Sequence, residues 1–203
     1  MAYVGILLSG ATLFLNSLML SGKAEAKSVA LFNFFIGTLQ VIIPFYLIIV
    51  SDQSNWTIYG HAATFLFGLT FLYVGFTFYY GMDGTGLGWF AIWVAIIACI
   101  YTIMAFLYFH DYVSALTWLL WAFLWYLFYV LNILKKPIEQ YVSKVAFVQS
   151  WITLTIPAMF YLVGVWQLLF IQRIWLIVLI VSIIYFIKEA LDLKKSSSYP
   201  SES

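Results

Sequence analysis

Six long stretches of this chain contain no aspartate, glutamate, lysine or arginine: 3–21, 29–50, 60–82, 88–109, 114–134 and 145–170. A seventh apolar run, 173–189, carries charge only near its ends, at Arg173, Lys188 and Glu189. Each run approaches or exceeds the roughly 20 residues with which a helix crosses a bilayer. A soluble domain carries about 25 % charged residues, whereas only 8 % of these 203 residues are charged. The expected fold is therefore an all-α polytopic membrane protein whose spans consume nearly the whole chain. A net charge of +1 and the lack of a basic stripe give nucleic acid nothing to bind. One cysteine, Cys99, permits no intrachain disulfide.

The separators carry turn chemistry: 21–27, 51–55, 81–86, 110–112 and 135–137. Runs six and seven are divided only by Gln167, Gln172 and Arg173. Ala24-Glu25-Ala26 resembles a signal-peptidase site. No basic segment precedes the first run, however, and the run exceeds a usual signal core, so it is expected to remain as a span. Lys/Arg asymmetry sets orientation. With the N-terminus outside, Lys23, Lys27, Lys135, Lys136, Lys144, Lys188, Lys194 and Lys195 fall inside and only Arg173 falls outside. An even number of spans would put the last three lysines outside, which supports a seventh. Units of three spans would have opposite orientations, so an inverted repeat relating about 1–83 to 84–170 is expected. The division is a channel domain over 1–170, an additional transmembrane helix over 171–191 and a disordered cytoplasmic tail over 192–203.

Ion-coupled carriers, voltage sensors and charged selectivity rings need ionisable groups at membrane depth, and the first six runs have none. His61 and His110 sit at span ends, where amphipathic rings favour the interface. No nucleophile–base pair or metal cluster is apparent, so no enzyme, metal or cofactor is expected. The residues at depth are aromatic and weakly polar. Trp118, Trp121 and Trp125 fall within about 60° on one helical face. Flat rings with few N–H or O–H groups suit a planar, uncharged, hydrogen-bonding solute and strip water from ions without compensation. Packing between helices is the competing role for such rings in a chain that is 21 % aromatic. Interhelical hydrogen bonding is the expected role of Asn16, Asn33, Gln40 and Gln149, and close helix approach that of Gly10, Gly37 and Gly68. Pro157 breaks one backbone bond of the sixth run.

An ordered series of motifs goes further. It comprises Leu13-Phe14-Leu15-Asn16, Asn33-Phe34-Phe35-Ile36-Gly37, Leu66-Phe67-Gly68-Leu69-Thr70-Phe71-Leu72-Tyr73 and Gly86-Leu87-Gly88-Trp89-Phe90. The tryptophan run, Asn132-Ile133-Leu134-Lys135 and Ile156-Pro157-Ala158 follow. Over about 5–166 this series resembles the UreI/AmiS family of bacterial urea and short-chain amide channels. The resemblance implies a six-helix inverted-repeat channel bundle with a pore in each protomer; the seventh C-terminal transmembrane helix, expected from the last apolar run and the lysine asymmetry, is absent from the family's acid-gated channel. It implies a homohexamer in the bacterial cytoplasmic (inner) membrane, serving a cytoplasmic urease or amidase. By resemblance, Trp121, Leu124 and Trp125 line constrictions faced by Tyr73, with Trp118, Leu69 and Gln149 along the same path. The family's urea channel has phenylalanine at Leu69 and glutamate at Gln149, changes that remove one flat wall and one charge. Its acid-gated member has a long His-rich outer loop, whereas 51–59 is short here, so weak pH gating is expected.

The expected function is passive conduction of urea or short-chain aliphatic amides into the cytoplasm by a protein surrounded by membrane lipids. An alternating-access carrier for a small neutral solute, or a scaffold with no transport role, are the alternatives.

Overall fold

The computed structural model describes residues 2–196, with seven helices long and apolar enough to cross a membrane among them. α1 is Ala2–Leu20, α2 Ala26–Ile49, α3 Asn55–Tyr80, and α4 Thr85–Ile103, prolonged by a π turn over Met104–Tyr108. α5 is Tyr112–Asn132. The sixth span is composite: α6 (Glu139–Gln149), a π segment (Ser150–Thr155) and α7 (Ile156–Leu162). α8, Leu169–Ser196, is the seventh span.

Short polar side chains start the helices at the turns. The Glu25 carboxylate accepts the Lys27 and Ser28 N–H groups at 2.9 and 2.5 Å, opening α2. Those N–H groups hold its pKa below the ordinary carboxylate value. Ser54 caps α3 through Thr57, and Asp111 caps α5 through the Ser114 N–H at 2.9 Å. Turn 163–168 is made possible by Gly164, whose φ of +78° suits glycine. That glycine separates spans six and seven, a boundary the polar residues alone marked only weakly. Helix α8 runs through Ser196, so 192–196, expected in the tail, are helical. The rest of the expected disordered tail lies outside the described residues.

Three pairs dominate the packing: α2 with α3, α4 with α5, and α1 with the composite sixth span. Small residues set each pair. A Cβ on Gly37 would meet the Leu72 backbone nitrogen at 2.8 Å, and one on Gly68 the Gln40 carbonyl carbon at 2.9 Å. A Cβ on Gly88 would meet the Asn132 Cβ at 2.9 Å, and one on Gly10 the Ser150 carbonyl oxygen at 3.1 Å. Without a hydrophobic drive between helices in lipid, such close approach is a main source of association. The inverted repeat expected between 1–83 and 84–170 would pack α5 on α6 as closely as α2 packs on α3. The observed α5–α6 contact is much slighter, so the recurring unit of packing is a two-helix pair used three times. Helix α8 lies outside this arrangement, against α5 and α6.

Candidate functional site

The i, i+3, i+7 spacing of Trp118, Trp121 and Trp125 keeps them on one face of α5. Opposite them, Phe67, Thr70, Phe71 and Val74 recur on α3 at i, i+3, i+4 and i+7, a single helical stripe. With Leu13 and Asn16 of α1, Leu154 of the π segment, and Trp121, Leu124, Trp125 and Phe128 of α5, they line a space of about 30 Å³. That is only two to three times the ~10–15 Å³ that admits one water molecule. No charged side chain among the described residues borders it.

Phe67 is the hub of the constriction. Its ring centroid lies 4.5 Å from Trp121, edge to face at 77°, and 5.0 Å from Trp125. Both indole N–H groups are already engaged. Trp121 Nε1 donates to Thr153 Oγ1 at 2.9 Å, and Trp125 Nε1 to Thr70 Oγ1 at 3.2 Å. Each threonine hydroxyl in turn donates to the carbonyl one turn back, Gln149 at 2.7 Å and Leu66 at 2.6 Å. The threonines therefore fix the indole orientations, and the rings offer π faces rather than free donors. Besides Thr70, whose hydroxyl is engaged with Trp125 and Leu66, the polar side chain in the wall is Asn16. Its amide exchanges two hydrogen bonds with Asn33, whose Nδ2 also donates to the Val29 carbonyl at 3.0 Å.

Wider spaces adjoin the constriction near the end of the bundle where α1 begins. One of about 270 Å³ lies between Trp56, Tyr59, Tyr101 and Trp118. Another of about 180 Å³ is bordered by Trp118, Trp121, Thr153 and Tyr161. Tyr59, Tyr101 and Trp118 stack in succession, with centroids 4.3 and 4.4 Å apart. Trp118 meets Trp121 edge-on at 4.8 Å. The rings thus narrow from a broad mouth to the small central space.

The structure brings Trp121, Leu124 and Trp125 together in the constriction and puts Trp118 at its mouth. Gln149 lies behind the wall, fully buried. Its Nε2 donates to the Leu120 carbonyl at 2.9 Å, and its Oε1 accepts no hydrogen bond from a described residue. Tyr73 and Leu69 do not line the central space. Tyr73 turns aside toward Phe90 of α4, 6.1 Å away between centroids. Leu69 is 46 % exposed on the outside of the protomer, because it falls about 200° round α3 from Phe67. The flat wall expected to be missing at Leu69 is supplied by Phe67 and Phe71, which share the same one-turn spacing. They recur with Thr70 and Val74 at i, i+3, i+4 and i+7, a spacing that Leu69, Leu72, Tyr73 and Phe76 share, so the sequence does not single them out.

Residues 1–165 match the sequence profile of the AmiS/UreI family transporter. A Rhodococcus erythropolis protein named as transporter protein AmiS2 is 36 % identical over 165 residues, covering 81 % of this chain and 80 % of that one. A Mycolicibacterium smegmatis protein named as an amidate substrates transporter is 37 % identical over 168 residues, covering 82 % and 79 %. Among solved structures, the closed-state cryo-electron-microscopy structure of the Helicobacter pylori urea channel superposes with a TM-score of 0.75 at 27 % identity. That likeness covers 82 % of this chain and 100 % of the channel.

Proposed function

The chain belongs to the AmiS/UreI transporter family, and from that membership we propose a passive channel for short aliphatic amides or urea, with the constriction as its selectivity filter. The observation that carries this reading is the filter itself: neutral, walled by the π faces of Trp121, Trp125 and Phe67, and furnished with one amide, Asn16. A planar neutral molecule can slide between the rings and exchange hydrogen bonds with the Asn16 amide. An ion entering so narrow an apolar space loses its hydration with nothing to replace it. No carboxylate or cation among the described residues borders the central space to couple the flow to protons or sodium. The greater identity to the relative named for amidate substrates favours amides over urea.

The eight lysines gather at one end of the bundle, and the positive-inside rule assigns that end to the cytoplasm. The wide aromatic mouth then opens outward from a bacterial inner membrane. The proposed assembly, as the family resemblance implies, is a homohexamer, with a cytoplasmic amidase or urease consuming what enters.

Stopped-flow light scattering on proteoliposomes tests the proposal. Acetamide and urea are expected to permeate faster than through empty vesicles, and glycerol not, with no saturation or counterflow. Saturation with counterflow replaces the channel by a carrier, and the absence of any flux removes a transport role.

A further inference from the structure

The sixth span changes register beside the filter. The Ile156 N–H donates to the Trp151 carbonyl, five residues back, as a π turn requires. The Thr155 hydroxyl likewise reaches five residues back, to the Ser150 carbonyl at 2.7 Å. The same spacing, advanced by one residue, directs the N–H of residue 157 at the Ile152 carbonyl. Residue 157 is proline and has no N–H. With the Ile156 N–H engaged at Trp151, Ile152 receives no donor from its own span at either the α or the π spacing. A carbonyl left so within hydrocarbon is costly.

The missing donor comes from α8. Trp175 Nε1 donates to the Ile152 carbonyl at 2.9 Å. Its indole is 7 % exposed and lies edge-on to Phe160 and Trp166, at 5.4 and 6.2 Å between centroids. The residue after Ile152 is Thr153, the acceptor that orients Trp121. We infer that Trp175 is a positioning residue for the filter: it supplies the hydrogen bond that Pro157 lacks and so holds the π turn in the register that presents Thr153 to Trp121. The inference rests on the channel reading for its functional consequence. It gives a role to α8, which begins beyond the residues matched by the family profile. Other ties keep α8 docked without it. The Tyr141 hydroxyl donates to the Phe186 carbonyl at 2.8 Å, and Lys144 pairs with Glu189 at 2.5 Å.

The experiment uses the full chain in proteoliposomes with Trp175→Phe, which keeps an aromatic ring but deletes the N–H, alone and combined with Pro157→Ala. Trp175→Phe is expected to change acetamide permeability and the acetamide-to-urea ratio by about threefold, the rate equivalent of one interhelical hydrogen bond. Pro157→Ala restores an N–H that can reach Ile152, so the double variant is expected to return toward the parent. Permeabilities and ratio unchanged in Trp175→Phe, or a loss that Pro157→Ala does not relieve, overturn the inference. A carbon-13, oxygen-18 label at the Ile152 carbonyl reads the bond without transport. Its infrared band should rise in Trp175→Phe and fall back in the double variant, and a band that does not move overturns the inference. If the parent protein passes no solute, the channel reading fails while the infrared result still judges the hydrogen bond.

Discussion

The side-chain amides of Asn16 and Asn33 exchange two hydrogen bonds across the α1–α2 contact, at 3.0 and 2.6 Å. With its further bond to the Val29 carbonyl, Asn33 uses both its N–H groups. Asn16 keeps one N–H and one lone pair for the cavity it borders. Asn33→Leu should therefore strand the Asn16 amide and lower stability by about 1–3 kcal/mol. Asn16→Leu combined with Asn33→Leu should cost less than the sum of the two single changes. Unfolding in detergent across the four proteins checks this, and strict additivity would show that the amides are not coupled.

Thr70→Val keeps the shape of the side chain but removes the acceptor for Trp125, and Thr153→Val does the same for Trp121. Freed indoles can turn into the space between them. Each valine variant should reduce acetamide flux by about threefold to tenfold, the equivalent of one buried hydrogen bond. The measurement is stopped-flow permeability beside a thermal unfolding midpoint. Loss of fold would instead lower both.

The helical phase of α3 separates two residues of similar size. Phe67→Ala opens the hub of the constriction, so permeability should rise or selectivity against glycerol should weaken. Leu69→Ala changes an outward surface and should leave flux within about twofold, as expected of exposed substitutions. Trp125→Ala should act like Phe67→Ala, and Tyr73→Ala more weakly. Equal effects of Leu69→Ala and Phe67→Ala would place the pathway on a different face.

Gly37 has no room for a larger side chain, since even a Cβ would meet the Leu72 nitrogen at 2.8 Å and the Gly68 carbonyl oxygen at 3.0 Å. Gly37→Val should destabilise the α2–α3 pair by about 1–3 kcal/mol, the usual cost of overpacking. The unfolding midpoint in detergent reads the effect. An unchanged midpoint would mean that the pair has slack.

Hydrogen bonds from backbone or side chain hold the pKa values of Glu25, Asp52 and Asp83 in the turns below ordinary carboxylate values, the Lys27 N–H for Glu25, the Ser54 N–H for Asp52 and Thr85 for Asp83. A lowered carboxylate pKa stabilises the fold above the unfolded value, about 4, and the contribution is lost as pH falls through the folded value. These groups therefore leave stability level between about pH 5 and 8, with a decline beginning only below about pH 4. Flux should also vary less than about twofold from pH 5 to 8, because His61 on α3 and His110 in the 109–111 turn form no cluster. Flux measured across that range settles the matter, and a steep fall toward neutrality would reveal an acid gate.

Much of the scaffold was legible from single stretches. Charge-free runs located the spans, short polar separators located the turns, and the 118/121/125 spacing put three indoles on one face. Glycine 164, rather than the nearby glutamines, marked the last turn. The candidate site was legible only on α5. On α3, Leu69 and Tyr73 share a one-turn spacing with Phe67 and Phe71, and nothing in the local pattern chooses between the pairs. Likewise Gln149 is a polar residue at depth, yet it braces Leu120 from behind instead of facing the central space.

The sequence by itself determined that this chain lives in a bilayer, how many times its helices cross, and which end gathers the lysines. Length and charge are sums along the chain and need no neighbour to acquire meaning. The tertiary structure alone decided which face of each helix meets the solute path, how the helices pair, and that Trp175 of α8 repairs the break at Pro157. In a bilayer the lipid-facing and buried faces are both apolar, so periodicity no longer says which way a helix turns. That choice falls to the close approach of backbones at Gly37, Gly68 and Gly88 and to the few hydrogen bonds between spans.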